Sequence, residues 1–93
     1  MDIEFEWDQR KAAANFAKHG VSFEAAKDVF FDENRLYELD NESDEERWRT
    51  IGIAAGKILF VVYTESNDDV VRIISAREAT KREQREYYGQ ASS

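Results

Sequence analysis

The stretch Asp69–Tyr88 constrains the fold most strongly, because it predicts a strand that runs directly into a helix. Its first half is rich in β-branched residues, which favour a pleated, half-buried strand: Val70, Val71, Ile73 and Ile74. Thr80 is followed three residues later by Glu83, a spacing that predicts a helix N-terminus closed by a capping box. Strict period-two alternation places Arg72 and Arg77 on opposite faces of the strand.

Positive charge is concentrated in this stretch, although the chain of 93 residues has a formal net charge of −7. The cations of the stretch are Arg72, Arg77, Lys81, Arg82 and Arg85. The acidity is local as well, because the segment 32–46 contains eight acidic residues and one base, Arg35. The net charge therefore does not exclude an anionic partner for the C-terminal unit, and the acidic segment can attract a basic partner.

The composition predicts a single domain over 1–93 with a frayed tail over 89–93. The chain has no cysteine, so it forms neither disulfides nor thiolate metal sites. No apolar run reaches the length of about 20 residues that spans a bilayer, and the acidic N-terminus lacks a signal-peptide core. We therefore expect a cytoplasmic protein without a membrane partner.

Two helices are predicted after a short N-terminal strand. Asp8 is the expected N-cap of the first helix, Gln9–Lys18, and Gly20 is its expected stop. Ser22 is the expected N-cap of the second helix, Phe23–Phe31. Helical spacing predicts a packing stripe on the first helix: Ala12, Ala13, Phe16 and Ala17.

Three strands are predicted between these helices and the opening stretch: Arg35–Leu39, Arg47–Ala54 and Ile58–Thr64. The last of them is almost entirely apolar, which indicates a central strand covered on both faces. Asp40–Glu45 reads as a polar loop, and Gly52 indicates a bulge or a close approach. The fold class is α+β, in the order β-α-α-β-β-β-β-α. Short hairpins imply an antiparallel sheet, with two N-terminal helices and one C-terminal helix on one face.

The sequence lacks the residues of several common sites. One histidine and no cysteine argue against a metal centre, and no phosphate-binding glycine loop or nucleophilic triad is present. The remaining candidates for a functional site are arginines. Arg47, Arg72 and Arg77 are expected on or beside neighbouring strands, and Arg82 on the last helix. Guanidinium groups bind phosphate in a bidentate manner and stay charged. RNA cleavage without a metal needs such groups, because the 2′-OH attacks its own phosphate and charge develops there.

Structural roles for the same residues stay open. Surface arginines pair with glutamates four residues away on a helix, as the spacings Glu78–Arg82 and Arg82–Glu86 allow. His19 suits the negative end of a helix dipole, Lys11 suits an exposed helix face, and Tyr87 suits the core.

A series of motifs runs through nearly the whole chain. They are Phe5–Asp8, Lys11, Asn15, Lys18–Phe23, Glu45–Arg47, Ile51–Gly52, Leu59–Thr64, Arg72–Arg77, Ala79–Thr80, Arg82–Glu83 and Tyr87. This series resembles the signature of the BrnT toxins of bacterial type II toxin–antitoxin systems. The resemblance implies a RelE-like fold and an endoribonuclease that cleaves RNA and inhibits translation without a metal or another cofactor.

The resemblance also implies site residues and partners. It assigns phosphate binding and transition-state charge to Arg47, Arg72, Arg77 and Arg82. Further candidates for the catalytic site are Lys11, His19 and Tyr87. The implied partners are RNA and a cognate BrnA-like antitoxin that carries a DNA-binding domain. Operator DNA would be contacted only through that antitoxin, in a complex that can include toxin dimerisation.

Two other functions stay open at this point. The chain could be a catalytically weak module with a toxin fold, whose main task is complex formation and control of its own operon. It could also be a structural interaction domain. The acidic segment 32–46 is unusual for an RNA-binding protein, and it fits either a weakened enzyme or a docking face for a basic antitoxin.

Overall fold

The computed structural model describes residues 3–40, 46–66 and 69–90. The strands in these ranges are β1 (Glu4–Glu6), β2 (Leu36–Asp40), β3 (Arg47–Ala54), β4 (Lys57–Glu65) and β5 (Val70–Glu78). The helices are α1 (Gln9–His19), α2 (Phe23–Ala26) and α3 (Lys81–Gln90), with a 3₁₀ helix, Lys27–Phe31, directly after α2. Most of the predicted polar loop (41–45) and the end of the predicted tail (91–93) lie outside the described residues, while 89 and 90 are helical.

The strands form one sheet in the order β1-β5-β4-β3-β2. Antiparallel pairs join β2 to β3, β3 to β4 and β4 to β5, which confirms the predicted α+β fold. β1 lies parallel to β5, with Phe5 opposite Val71, so the sheet is mixed rather than wholly antiparallel. Hairpin lengths contain no information about this pairing, because β1 and β5 are far apart in the chain.

Local hydrogen bonds confirm the predicted helix ends. The Asp8 carboxylate accepts two N–H groups of the first turn of α1, at 2.8 and 3.1 Å. Gly20 ends α1 in the left-handed conformation, with a φ of 71°. The Ser22 hydroxyl accepts one N–H group of α2 at 3.0 Å. Thr80 and Glu83 form the predicted capping box, with bonds of 2.9 and 3.2 Å.

The helices cover both faces of the sheet, so the prediction of one covered face is wrong. α2 and the 3₁₀ helix pack on the face where Leu59, Val61 and Tyr63 are buried. α3 packs on the opposite face, where Tyr87 joins a smaller cluster that includes Ile58. Side chains of β4 point alternately to the two faces, so this strand is the central one, as predicted.

A β-bulge in β5 decides which face its arginines occupy. The register shifts between Val62 and Tyr63 of β4, which leaves Ile74 as an extra residue in β5. Arg72 and Arg77 then lie opposite β4 residues that share one face. The prediction that these two arginines point to opposite faces is therefore wrong, and both belong to the face that carries α3.

The apolar stripe predicted for α1 is also wrong, because a buried asparagine makes the central contact of this helix. Phe16 is 56% exposed, and Ala12 is the stripe residue that packs against the core. The Asn15 amide group donates to the carbonyl oxygens of Val21 at 3.0 Å and of Ala76 at 2.8 Å. Its oxygen accepts the N–H of Ala76 at 3.1 Å. Polar contacts thus fix α1 to β5.

Gly52 allows β3 to approach the 3₁₀ helix closely. A Cβ atom at this position would lie 2.8 Å from Cγ1 of Val29 and 3.0 Å from Cβ of Arg35. It would also lie 3.2 Å from Oδ2 of Asp32. The close approach predicted for this glycine is confirmed, and it brings Asp32 to the edge of the sheet.

We expect Asn15→Ala to lower the free energy of unfolding by about 2–4 kcal/mol, because buried carbonyl and N–H groups lose their partner. Lys18→Ala, in the exposed part of the same helix, should change it by less than about 0.5 kcal/mol. Urea denaturation followed by circular dichroism measures both variants. Equal stability of the two would contradict a structural role for the Asn15 contacts.

Candidate functional site

Four arginines lie on the sheet face that α3 partly covers: Arg47 and Arg49 on β3, and Arg72 and Arg77 on β5. We call this surface the arginine face. β3 and β5 flank β4, so their side chains lie about 10 Å apart across the face. The structure therefore brings together three arginines predicted from the sequence, and adds Arg49 to them.

A groove of about 350 Å³ separates the arginine face from α3. Arg49 and Phe60 line it on the sheet side, and Arg82 lines it on the α3 side. Three acids also line the groove: Glu38, Glu83 and Glu86. Arg82, the fourth predicted arginine, thus lies across the groove from the sheet.

Arg77 is the most firmly positioned of these arginines. Its Nη1 and Nη2 donate to the two carboxylate oxygens of Glu83, at 2.8 and 3.0 Å. Nη1 also donates to the carbonyl oxygen of Glu78 at 3.1 Å, and the guanidinium lies 4.1 Å from the centroid of the Phe60 ring. Among the described residues nothing accepts a hydrogen bond from its Nε, so one bidentate edge can still bind an oxyanion.

Glu83 is a partner of Arg77 as well as a capping residue. The hydrogen bonds from Arg77 lower the pKa of Glu83, and they outweigh the burial that raises it. The N–H of Thr80 lowers the pKa further. The side chain of Glu83 is 19% exposed, so the carboxylate stays ionised and shielded beside Arg77.

Three other arginines pair with acids, two of them across neighbouring strands and one along α3. Arg49 lies 2.7 Å from Glu38 of β2, and its Nε is buried without a hydrogen-bond partner. Arg72 lies 2.7 Å from Glu6 of β1. Arg82 is exposed and lies 3.9 Å from Glu86, the spacing expected from the sequence. The other spacing expected from the sequence, Glu78 with Arg82, is not used. Glu78 belongs to β5 and pairs with Lys57 at 3.6 Å.

Tyr87 lies beneath the groove rather than in it. It is buried, and its hydroxyl donates to Oδ2 of Asp32 at 2.5 Å. Burial, followed by the hydrogen bond to Asp32, raises the pKa of Tyr87 to about 12. The contact joins α3 to Asp32, and the catalytic role expected for Tyr87 stays a prediction.

Lys11 and His19 lie on α1 and outside the arginine face. Both are exposed, and they occupy opposite ends of the helix, about 12 Å apart along its axis. The N–H groups of Lys11 and Arg10 lower the pKa of Asp8, with smaller contributions from the charges of Lys11 and Arg72. The structure therefore does not gather all seven candidates in one place.

Sequence reasoning missed Arg49 and the second role of Glu83. Period-two alternation from Arg47 would have placed Arg49 on the same face of β3. The contact between Glu83 and Arg77 had no comparable signal, because it depends on how α3 returns over the sheet.

Glu83→Gln should lower the free energy of unfolding by about 1–2 kcal/mol at neutral pH, because glutamine keeps the capping box but loses the ion pair. A carboxyl whose pKa is lowered by folding stabilises the fold above its unfolded pKa, and this contribution is lost as the pH falls. The difference between wild type and variant should therefore be full above about pH 5 and shrink below about 4.5. Denaturation at a series of pH values measures it.

Glu86→Gln is the matched control, since Glu86 is exposed and pairs only loosely with Arg82. Its effect should be small at every pH. A difference for Glu83→Gln that stays constant down to pH 3 would contradict an ionised contact with Arg77.

Within the ranges 3–40, 46–66 and 69–90, no group of three or more histidine, cysteine, aspartate or glutamate side chains is arranged to bind a metal ion. No helix in those ranges combines the length and apolarity needed to cross a bilayer.

Comparison with known proteins identifies a shared fold and a family. The chain resembles the crystal structure of the Brucella abortus ribonuclease toxin BrnT, with a TM-score of 0.66 and 24% sequence identity. The likeness covers 86% of this chain and 100% of that one, and it shows a shared fold. No curated protein sequence matches the chain. The family model described as the ribonuclease toxin BrnT of a type II toxin–antitoxin system matches residues 7–83, so the chain belongs to the BrnT toxin family.

Proposed function

We propose that this chain is an endoribonuclease toxin that cleaves RNA without a metal ion and thereby inhibits translation. The 2′-oxygen of a ribose would form a bond to the adjacent phosphorus, and the bond from phosphorus to the 5′-oxygen would break. The products are a 2′,3′-cyclic phosphate and a 5′-hydroxyl, and one proton passes from the 2′-OH to the leaving oxygen. Membership of the ribonuclease toxin family supports the reaction class.

The observation that carries the proposal is the fixed guanidinium of Arg77, which contacts Glu83 and Phe60 of the groove lining. Glu83 and Phe60 hold its plane, and the hydrogen bonds to Glu83 use Nη1 and Nη2 rather than Nε. A donor that is already oriented stabilises developing phosphate charge without the cost of reorganisation. Arg82 across the groove and Arg49 beside it add charge for the flanking phosphates. Arg47 and Arg72 would guide the RNA farther along the face.

The proposal includes a protein that neutralises the toxin. Membership of a type II family implies an antitoxin partner. We propose that this partner is BrnA-like, that it inactivates the toxin by covering the arginine face or displacing α3, and that the complex represses its own operon through the antitoxin.

A second candidate function is supported by the pairing of the arginines. Arg49, Arg72 and Arg77 each lie within 2.8 Å of a glutamate, so much of their charge is compensated in the free protein. A module with a toxin fold but little catalysis, acting through its antitoxin complex, would show this pattern. Incubation of the purified, antitoxin-free protein with single-stranded RNA in EDTA separates the two candidates. Cleavage supports the enzyme, and intact RNA supports the binding module.

Arg77→Ala should lower the cleavage rate by about 10²–10³-fold, as expected for loss of one positioned donor to the transition state. Arg77→Lys should recover little activity, because an ammonium group cannot make two parallel bonds to a phosphate. Arg85→Ala, an exposed position on α3, removes the same charge and should change the rate by less than about threefold. Circular dichroism should show that all three variants are folded. Full activity of Arg77→Ala would contradict the proposed role.

Binding of RNA should weaken steeply with salt. For single-stranded nucleic acid, the logarithm of the binding constant falls with log salt by about 0.7 for each neutralised phosphate. Arg77→Ala or Arg82→Ala should each reduce this slope by about 0.7. RNA with 2′-O-methyl groups serves as the ligand, because it cannot be cleaved by 2′-OH attack. An unchanged slope in both variants would show that the phosphates bind elsewhere.

A further inference from the structure

The edge of the sheet formed by β2 has the features of a docking site for another strand. β2 is the terminal strand of the sheet, and no other strand of the described residues lies on its outer side. It is five residues long, whereas β1 at the opposite edge has three. An open edge presents unpaired backbone groups that can bind an extended segment of another chain.

The hydrogen bonds around β3 show which backbone groups of β2 point outwards. The N–H of Ile53 donates to Oδ2 of Asp32, on the β2 side of β3. Alternation then directs the N–H groups of residues 51, 49 and 47 towards β2, so their partners Leu36, Glu38 and Asp40 pair inwards. The carbonyl oxygen of Leu36 indeed points inwards, to the hydroxyl of Thr50. The outward-facing residues between them are Tyr37 and Leu39.

The two faces of β2 differ in chemistry. Tyr37 and Leu39 are 62% and 39% exposed, and they extend the main core towards the edge. The ring of Tyr37 lies 6.3 Å from that of Trp48 and 4.8 Å from the guanidinium of Arg35. The other face of β2 carries Glu38 and Asp40, within the acidic segment 32–46.

We propose that β2 binds an extended segment of the antitoxin as a sixth strand, in which apolar and basic residues alternate. The apolar side chains would cover Tyr37 and Leu39, and the lysine or arginine side chains would lie beside Glu38 and Asp40. A second copy of this chain fits poorly, because β2 paired with itself would place acidic side chains opposite each other. The acidity of segment 32–46 thus favours a basic partner.

The added strand would lie next to the groove. A second cavity of about 170 Å³ is lined by Leu36, Tyr37, Glu38, Arg49 and Glu86, and it shares the last three of these residues with the groove. A segment paired with β2 would therefore occupy the side from which RNA reaches the arginine face. The identity of the partner as an antitoxin rests on the function proposed above. The open edge, with its outward N–H groups and its two different faces, is independent of that function.

The probe is a short synthetic peptide of alternating valine and lysine, added to the full chain and followed by NMR of the backbone amides. The largest shifts should occur at Tyr37 and Leu39, and a valine–glutamate peptide should cause none. Leu39→Pro, which removes one outward N–H, should weaken binding by about tenfold, whereas Leu39→Val should bind almost as wild type. RNA cleavage by either variant should equal that of wild type, so failure of this inference is distinct from failure of the ribonuclease proposal.

Hydrogen exchange on the complex that the chain forms with the protein encoded beside it extends the test. Amides of Tyr37 and Leu39 should be protected at least tenfold more in the complex than in the free chain. Peptide shifts confined to β1 or α3, equal binding of the two peptides, or no protection at β2 in the complex would each overturn the inference. Protection at β2 in a dimer of the free chain would assign the edge to a second copy instead.

Discussion

The Asp32 carboxylate joins the parts of the chain on which the groove depends. Its Oδ2 accepts the N–H of Ile53 on β3 and the hydroxyl of Tyr87 on α3, and its Oδ1 accepts the N–H of Asn34. Burial raises its pKa, but these three hydrogen bonds and the charge of Arg35 together lower it below the ordinary value. The group is therefore ionised at neutral pH, and it anchors α3 against the sheet edge. α3 also rests on a small apolar cluster and on the pair of Glu83 with Arg77, so Asp32 fixes the position of the groove wall together with these contacts.

Pairing of opposite charges explains how several arginines can lie close together on one face. Unpaired, they would repel one another and lose their fixed positions. Each glutamate partner removes part of that repulsion, and the pair of Arg77 with Glu83 also fixes a plane and an edge. The cost of this pairing is a weaker electrostatic field towards RNA. The field of the exposed pairs is also screened by salt. Under the proposed function, affinity for RNA would depend on geometry and on the unused donor edges more than on net charge.

The sequence predicted what is decided locally. Caps at Asp8, Ser22 and Thr80 need only the first turn of a helix, and the antiparallel pairing of β3, β4 and β5 followed from short hairpins. The features that differed from the sequence prediction depend on contacts between residues that are far apart in the chain. The bulge at Ile74 reverses the face of Arg77, and no residue type marks it. Phe16 is exposed because the helix meets β5 through a buried asparagine, which helical periodicity cannot reveal. Arg47, Arg72 and Arg77 were named by motif, whereas their common face required the register of β5.

The two charged surfaces of this protein meet where Glu38 of β2 pairs with Arg49 of β3. On one side lies the acidic strand β2, and on the other the arginine face, so the formal net charge of −7 describes neither. Segregation of this kind lets a small domain attract an anion and a cation at different places, because fields between exposed groups decay within about 8 Å at physiological salt. The two sites are nevertheless adjacent in space, since neighbouring strands lie about 4.8 Å apart. A chain bound at β2 would thus exclude RNA by its volume, without any need to imitate the charge of RNA.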